Sequence, residues 1–193
     1  MPRVKLFDEN EVLNKAMNLF WKQGYAATSI NDLVNHLGIN RASLYSTFGD
    51  KDTLFKKAFQ YYRKTGIEGL RQFFKNFENV KEAFSKLFEI AIDEAICDAD
   101  KKGCFVVNTT TELVPGDPKI LKVLEENKKE LETVFFDFLK KGKDAGQLKS
   151  NQDLKILASL LFTIYSGLRV VSKINPDKKE LISSMNLALS LLN

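Results

Sequence analysis

The sequence predicts an all-α protein of about nine helices, on three observations. Apolar residues recur at three- and four-residue spacing, capping residues and glycines punctuate the chain at helix-length intervals, and no stretch alternates cleanly enough to read as a strand. Leu, Lys, Glu, Ala and Phe favour helix, and four prolines in 193 residues interrupt little. A hydrophobic share of 44% with 28% charged residues is that of a globular chain and not of a disordered one.

The elements follow in order. DENEVLNKAMNLFWKQG opens with Asp8 and Glu11 as a capping box, puts Leu13, Ala16, Met17 and Phe20 on one face and stops at Gly24. In TSINDLVNHLG, Thr28 or Ser29 is the N-cap, Asp32 completes a box with Ser29, and Ile30, Leu33, Val34 and Leu37 form the buried stripe of a short helix ending at Gly38. Asn40 caps a third helix, RASLYSTF, with Leu44 and Phe48 inward and Arg41, Ser43 and Thr47 left for other faces. Asp50 caps a long fourth helix whose apolar side carries Leu54, Phe55, Ala58, Phe59 and Tyr62, with Gly66 and Gly69 as points where it can bend. Five more helices are expected over 80–98 after Asn79, 104–113, 118–142 with Asp117 as cap and Pro118 as first residue, 152–174 and 178–192. The β-branched stretch CFVVNTTTELV, 104–114, is the one candidate strand; it lacks alternation and a partner strand, and so reads as helix.

Two short helices joined by Gly38-Ile39-Asn40, with a helix in front and behind, make a helix-turn-helix whose second member can enter a DNA major groove. A groove about 12 Å wide admits a helix only if its exposed side chains are short, which suits Ala42, Ser43, Ser46 and Thr47. Arg41 is the candidate for a bidentate contact to guanine, while Ser43, Tyr45, Thr47 and Lys51 can bond phosphates. The same motif occurs in proteins that never touch DNA, in which case Tyr45 and Phe48 are core residues and Arg41 a solvated charge. Charge leans toward the first reading: residues 1–64 hold ten Lys or Arg against six Asp or Glu, and residues 65–193 hold nineteen of each, so the whole net charge of +4 lies in the first third.

Residues 24–59, GYAATSINDLVNHLGINRASLYSTFGDKDTLFKKAF, resemble the DNA-binding segment of the TetR family of bacterial transcriptional repressors. The marks are Gly24-Tyr25, Thr28-Ser29-Ile30, Leu37-Gly38-Ile39, Leu44-Tyr45-x-x-Phe48 and Lys51-x-x-Leu54, and the likeness covers roughly residues 8–62. It implies an N-terminal three-helix DNA-binding domain over 1–50, and a helical ligand-binding and dimerisation core over 51–193. It also implies a homodimer holding two heads across a palindromic operator in double-stranded DNA, under control of a small-molecule effector. Carried over by position, Thr28, Asn40, Arg41, Ser43, Tyr45, Ser46 and Lys51 are expected at the DNA.

Helix 152–174 has Leu157, Leu160, Leu161, Ile164 and Leu168 along one stripe, and Ile156, Phe162 and Tyr165 widen its apolar surface nearly all round. A helix buried on two sides needs a second partner, and the resemblance supplies a four-helix interface made with 118–142 and the mates of both. Phe135, Leu139, Leu161, Tyr165 and Leu168 are the candidate interface residues. Phe73, Phe77, Phe84, Phe88, Ile92 and Phe105, within a chain of fifteen phenylalanines, are candidates for an aromatic effector pocket, although a Phe stripe is more often core.

Other classes fit less well. The longest apolar runs, such as ILASLLF at 156–162, fall short of the roughly 18 residues of a spanning helix, so no membrane span is expected. MPRVKLFDENE turns acidic where a signal peptide would be apolar, which points to the cytoplasm, and the two cysteines suit that compartment. The sole histidine, His36, lies in the head, no phosphate-binding glycine loop occurs and the carboxylates lie on scattered helix faces; no enzyme, cofactor or metal site is expected. Cys104, beside Lys101 and Lys102 at a helix start, is a candidate thiol sensor of electrophiles or oxidants, its alternative being a small buried hydrophobe. A Cys97–Cys104 bridge would need a break in the helix at DADKKG. A helical interaction module without DNA binding is the remaining class; a degenerate reading helix would mark it, and this one is intact.

Overall fold

The computed structural model describes residues 7–148, 153–174 and 177–192. Among these residues every regular element is helical: α1 (Glu9–Gln23), α2 (Ile30–Leu37), α3 (Arg41–Phe48), α4 (Lys51–Lys75), α5 (Val80–Cys97), α6 (Phe105–Leu113), α7 (Pro118–Asp144), α8 (Leu154–Val171), α9 (Lys178–Leu189) and a 3₁₀ turn over Ser190–Leu192. The start of the helix expected from 152 lies outside the described residues, as does most of the N-terminal run MPRVKLFDENE.

Helix starts are set by short polar side chains that accept the first free N–H groups. Asp8, Asn40, Asp50, Asn79, Asp117, Asp153 and Asp177 do this singly, and Ser29 and Asp32 form a reciprocal capping box. At the end of α2, Gly38 takes φ +67° with its N–H on the Val34 carbonyl, a left-handed turn that a Cβ would strain. The stretch 104–114 forms α6 with Cys104 at its cap position, and α4 runs unbroken past Gly66 and Gly69.

Two cores hold the molecule. The first gathers Phe20 of α1, Leu33 and Leu37 of α2, Leu44 and Phe48 of α3, and Leu54, Phe55, Ala58 and Phe59 of α4. It also takes Phe105 from α6 and Ile120 and Leu124 from α7, so the three-helix head closes only with help from the body. The second core packs α5, α7, α8 and α9 around Phe84, Phe88, Phe135, Leu139 and Leu161, with Ile67 and Phe74 from the far half of α4. α4 therefore belongs to both.

α8 differs from the sequence expectation. Over Leu154–Val171 its mean hydropathy is 1.6, long and apolar enough by composition to cross a membrane, because Thr163 ends the apolar run 156–162 without lowering the average much. Leu154, Leu157, Ala158, Leu161 and Leu168 are nonetheless packed into the second core. The opposite face leaves Ile156, Leu160, Val170 and Val171 exposed.

One close approach inside the body is set by a glycine: a Cβ on Gly142 of α7 would fall well inside contact of Val80 Cγ2, on a stiff β-branched side chain. Gly142→Ala is expected to destabilise, because a clash of about 1–3 kcal/mol exceeds the roughly 1 kcal/mol gained in helix propensity. Gly66→Ala, where a Cβ meets nothing within 4 Å, is expected to stabilise by about 0.5–1 kcal/mol. Urea unfolding of the two variants beside the parent checks both signs.

Candidate DNA-reading face and the cavity behind it

α3 is seated by Leu44 and Phe48, which are buried against α1, α2 and α4. Its outward side carries Arg41, Ala42, Tyr45 and Ser46, residues that share one face at helical spacing. Tyr45 is 45% exposed. Asn40 Oδ1 accepts the Ser43 N–H at 2.8 Å, and the Ser46 hydroxyl donates to the Ser43 carbonyl at 3.1 Å. Arg41 Nη2 donates to Asn31 Oδ1 of α2 at 2.6 Å, which aims the guanidinium along the head and ties the two helices together. Ser43 and Thr47 are half-buried at the edges of this face. Lys51, at the start of α4, holds its ammonium 4.3 Å from the centre of the Tyr25 ring.

Thr28 is elsewhere. It is fully buried, and its hydroxyl donates to the Gly24 carbonyl at 2.6 Å, so the side chain closes the α1–α2 turn and has no free group for a phosphate. Ser29 is the true N-cap. His36 is exposed on α2.

The turn after α1 is gripped from the body. Glu112, near the end of α6, accepts the N–H groups of Tyr25 at 3.0 Å and Ala26 at 2.7 Å. At the other end of α6, the Phe105 ring sits edge-on to Phe55, Phe59 and Tyr62 and stacks beside Trp21. Trp21 Nε1 donates to the Gly103 carbonyl at 3.1 Å, and Lys22 pairs with Asp100 at 2.7 Å. α6 and the loop before it thus hold the head at several points. Sequence reading misses Glu112 because its partners lie more than 80 residues away and no local pattern marks it.

Behind this junction lies a cavity of about 920 Å³ between α1, α4, α5, α7 and α8, bordered among others by Trp21, Tyr62, Leu70, Phe73, Phe162 and Tyr165. Its volume is within the range of drug-sized ligand sites. Of the six phenylalanine and isoleucine candidates, Phe73 borders it. Phe77 packs half-buried against Phe73 on the second core. Phe84, Phe88 and Ile92 are sealed inside that core and Phe105 inside the first, since rings at this spacing fill the space between helices before they can line a void.

The interface candidates also divide. Phe135, Leu139, Leu161 and Leu168 are buried within the protomer, and Tyr165 turns toward the cavity; the residues of α8 that do face outward are their neighbours Ile156, Leu160, Val170 and Val171.

The cavity has polar walls as well. Arg169 donates to Tyr165 Oη at 2.7 Å and pairs with Glu94 at 2.8 Å. Burial opposes the Arg169 charge, but Tyr165 and Glu94 outweigh it and hold the guanidinium above its ordinary value. Cys104 borders the cavity half-buried, 4.0 Å from the Tyr62 hydroxyl; Cys97 is exposed, and both thiols are free. Burial, and after it the Cys104 thiol, push the Tyr62 hydroxyl well above its ordinary value, so it stays protonated and able to donate.

A capped second helix of a helix-turn-helix on a small basic head, held to a helical body with a partly open cavity behind the junction, is the architecture of a helix-turn-helix transcriptional regulator. Residues 12–58 match the family model for bacterial regulatory proteins of the tetR family, and residues 82–186 match the tetracyclin repressor-like C-terminal domain. The chain is 33% identical to the uncharacterized HTH-type transcriptional regulator YezE of Bacillus subtilis (strain 168), over 100% of both chains. It is 30% identical to the HTH-type transcriptional repressor ComR of Escherichia coli (strain K12), over 98% of this chain and 90% of that one. A cysteine mutant of the TetR family transcriptional regulator CifR, solved with 26-bp double-strand operator DNA, superposes with a TM-score of 0.87 at 25% identity, covering 99% of this chain and 100% of that one. The chain belongs to the TetR family of bacterial transcriptional regulators.

The Glu112 contact makes a direct prediction. In Glu112→Ala the Tyr25 and Ala26 amides lose a charged acceptor worth roughly 1.5–3 kcal/mol, so their hydrogen exchange is expected to quicken by about tenfold or more while amides in α5 and α9 keep their rates. Site-resolved exchange by NMR measures this.

Proposed function

We propose that this regulator is a repressor that binds a palindromic operator as a homodimer and is released from it by a small molecule held in the cavity. Residues 1–50 form the DNA-reading head and residues 51–193 the ligand-binding and dimerisation body. The observation that carries the reading is α3, a helix seated by two buried residues that presents Arg41, Tyr45 and small side chains and nothing bulky between them. Arg41 reads a base, with Asn31 fixing its direction; Asn40, Ser43, Tyr45, Ser46, Thr47 and Lys51 contact phosphates or flank the read bases.

The outward apolar side of α8 supports the homodimer. Ile156, Leu160, Val170 and Val171 lie opposite the stripe that the protomer already buries, and a two-fold axis beside α8 would cover them with their own copies. Two linked heads then address two half-sites, which multiplies affinity without new contacts per head.

Control runs through α4 and α6, both of which border the cavity and hold the head. Displacing α6 by a ligand moves the Glu112 grip and with it the α1–α2 turn, and a coupling of about 1–3 kcal/mol is enough to shift the heads off register.

The test is selection of bound duplexes from a random library by the parent and by Arg41→Ala at one fixed salt concentration. The parent is expected to enrich a palindrome; in Arg41→Ala, discrimination at one position per half-site should fall by about 1–3 kcal/mol. No enrichment by the parent sinks the operator reading. Separately, Leu160→Glu is expected to shift sedimentation from dimer to monomer with helicity unchanged, and a parent that sediments as a monomer removes the dimer.

A further inference from the structure

Two arginines border the cavity, and they differ in how their charge is met. Arg169 has Glu94 and the Tyr165 hydroxyl. Arg63, on α4, is 7% exposed and has no carboxylate within ion-pair distance among the described residues. Its Nε donates to Asn127 Oδ1 of α7 at 3.0 Å, a neutral acceptor, and its two terminal nitrogens make no hydrogen bond among the described residues. Glu130 and Glu126 of α7 act on it only at longer range, and burial pulls its guanidinium below the ordinary value against them.

Asn127 is the second half of the feature. It is 1% exposed and borders the same cavity. An arginine has donors only, so the amide must turn its oxygen to Arg63, which leaves Nδ2 as a buried donor with no partner. A buried charge without a counter-charge beside an unsatisfied amide N–H is costly in an empty site. Everything these two side chains still offer is donor capacity, and what completes them is an anion with acceptor oxygens.

The surrounding wall limits what that anion is attached to. Ile67, Leu70, Phe73, Leu131 and Phe162 border the cavity with apolar surface, and Arg169 at another part of the wall is already neutralised. Asp98, Asp100 and Lys102 border the cavity from the loop before α6, and along its α4 and α7 walls Arg63 is the one charged residue among those described, set among mainly apolar neighbours.

We propose that the cavity takes an apolar molecule bearing a single carboxylate, whose oxygens accept from the Arg63 guanidinium and from Asn127 Nδ2. This deepens the effector reading above and rests on it for its regulatory meaning, but the binding itself is separable. Trp21 is the one tryptophan of the chain and borders the cavity, so its fluorescence reports occupancy without DNA.

The experiment titrates the full-length protein with decanoate and 3-phenylpropanoate, each beside its primary alcohol of the same skeleton. At least one acid is expected to bind roughly tenfold or more tightly than its alcohol. Asn127→Asp, which keeps volume while giving Arg63 an internal counter-charge, is expected to weaken the acid by roughly tenfold to hundredfold and to leave the alcohol nearly unchanged. Arg63→Gln should do the same, with circular dichroism confirming its fold; Asn127→Asp retains a partner for Arg63 if Arg63→Gln does not fold. Alcohols that bind as well as acids, acids that do not bind at all, or an acid affinity untouched by Asn127→Asp overturn the proposal. Operator affinity measured with the bound acid separates the two readings: an acid that binds as predicted yet leaves DNA binding unchanged supports the carboxylate site and overturns its effector role.

Discussion

The head keeps its orientation because Phe105, a residue of the body, completes the head's own core. Its ring is edge-on to Phe55 at 5.8 Å, Phe59 at 5.3 Å and Tyr62 at 5.5 Å, and it is 2% exposed. Truncating a phenylalanine buried to this degree typically costs about 3–5 kcal/mol, a large share of the roughly 5–15 kcal/mol that holds a domain together. The exposed Lys22–Asp100 pair is minor beside it. The head is therefore not a bead on a linker: the reading helix points where α6 lets it point, and the polar grip of Glu112 sets the final angle of a junction whose strength is aromatic.

The same junction forms part of the cavity wall. Trp21 and Tyr62 touch Phe105 on one side and border the cavity on the other. The cavity wall and the junction that fixes the head therefore share these two side chains. α8 has a comparable double role, with its inner stripe in the second core and its outer residues apolar and uncovered.

Much of the fold is written locally, and that part is legible in the sequence. Asp8, Ser29, Asn40, Asp50, Asn79 and Asp117 each stand where a helix begins, because a cap acts on N–H groups two or three residues away. The outward face of α3 is legible for a similar reason: Leu44 and Phe48 must point inward, which leaves Arg41 and Tyr45 outward. What the sequence does not disclose is which of several apolar or polar residues of one type meets which partner. Thr28 reads as a helix cap or a DNA contact and is a buried turn residue; Phe84 and Phe88 read as pocket candidates and are core; Arg63 meets Asn127, 64 residues away, and no local pattern marks the pair.

Phe105, Ile120 and Leu124 in the core of the first domain also set an order of events during synthesis. Chains usually fold from the N-terminus as they leave the ribosome, and α1 to α3 emerge first. Their core stays open until residue 124 has been made. A nascent or truncated chain that ends before α7 carries every residue of α3 and most of the core beneath it, but lacks Ile120 and Leu124, which close that core from the body.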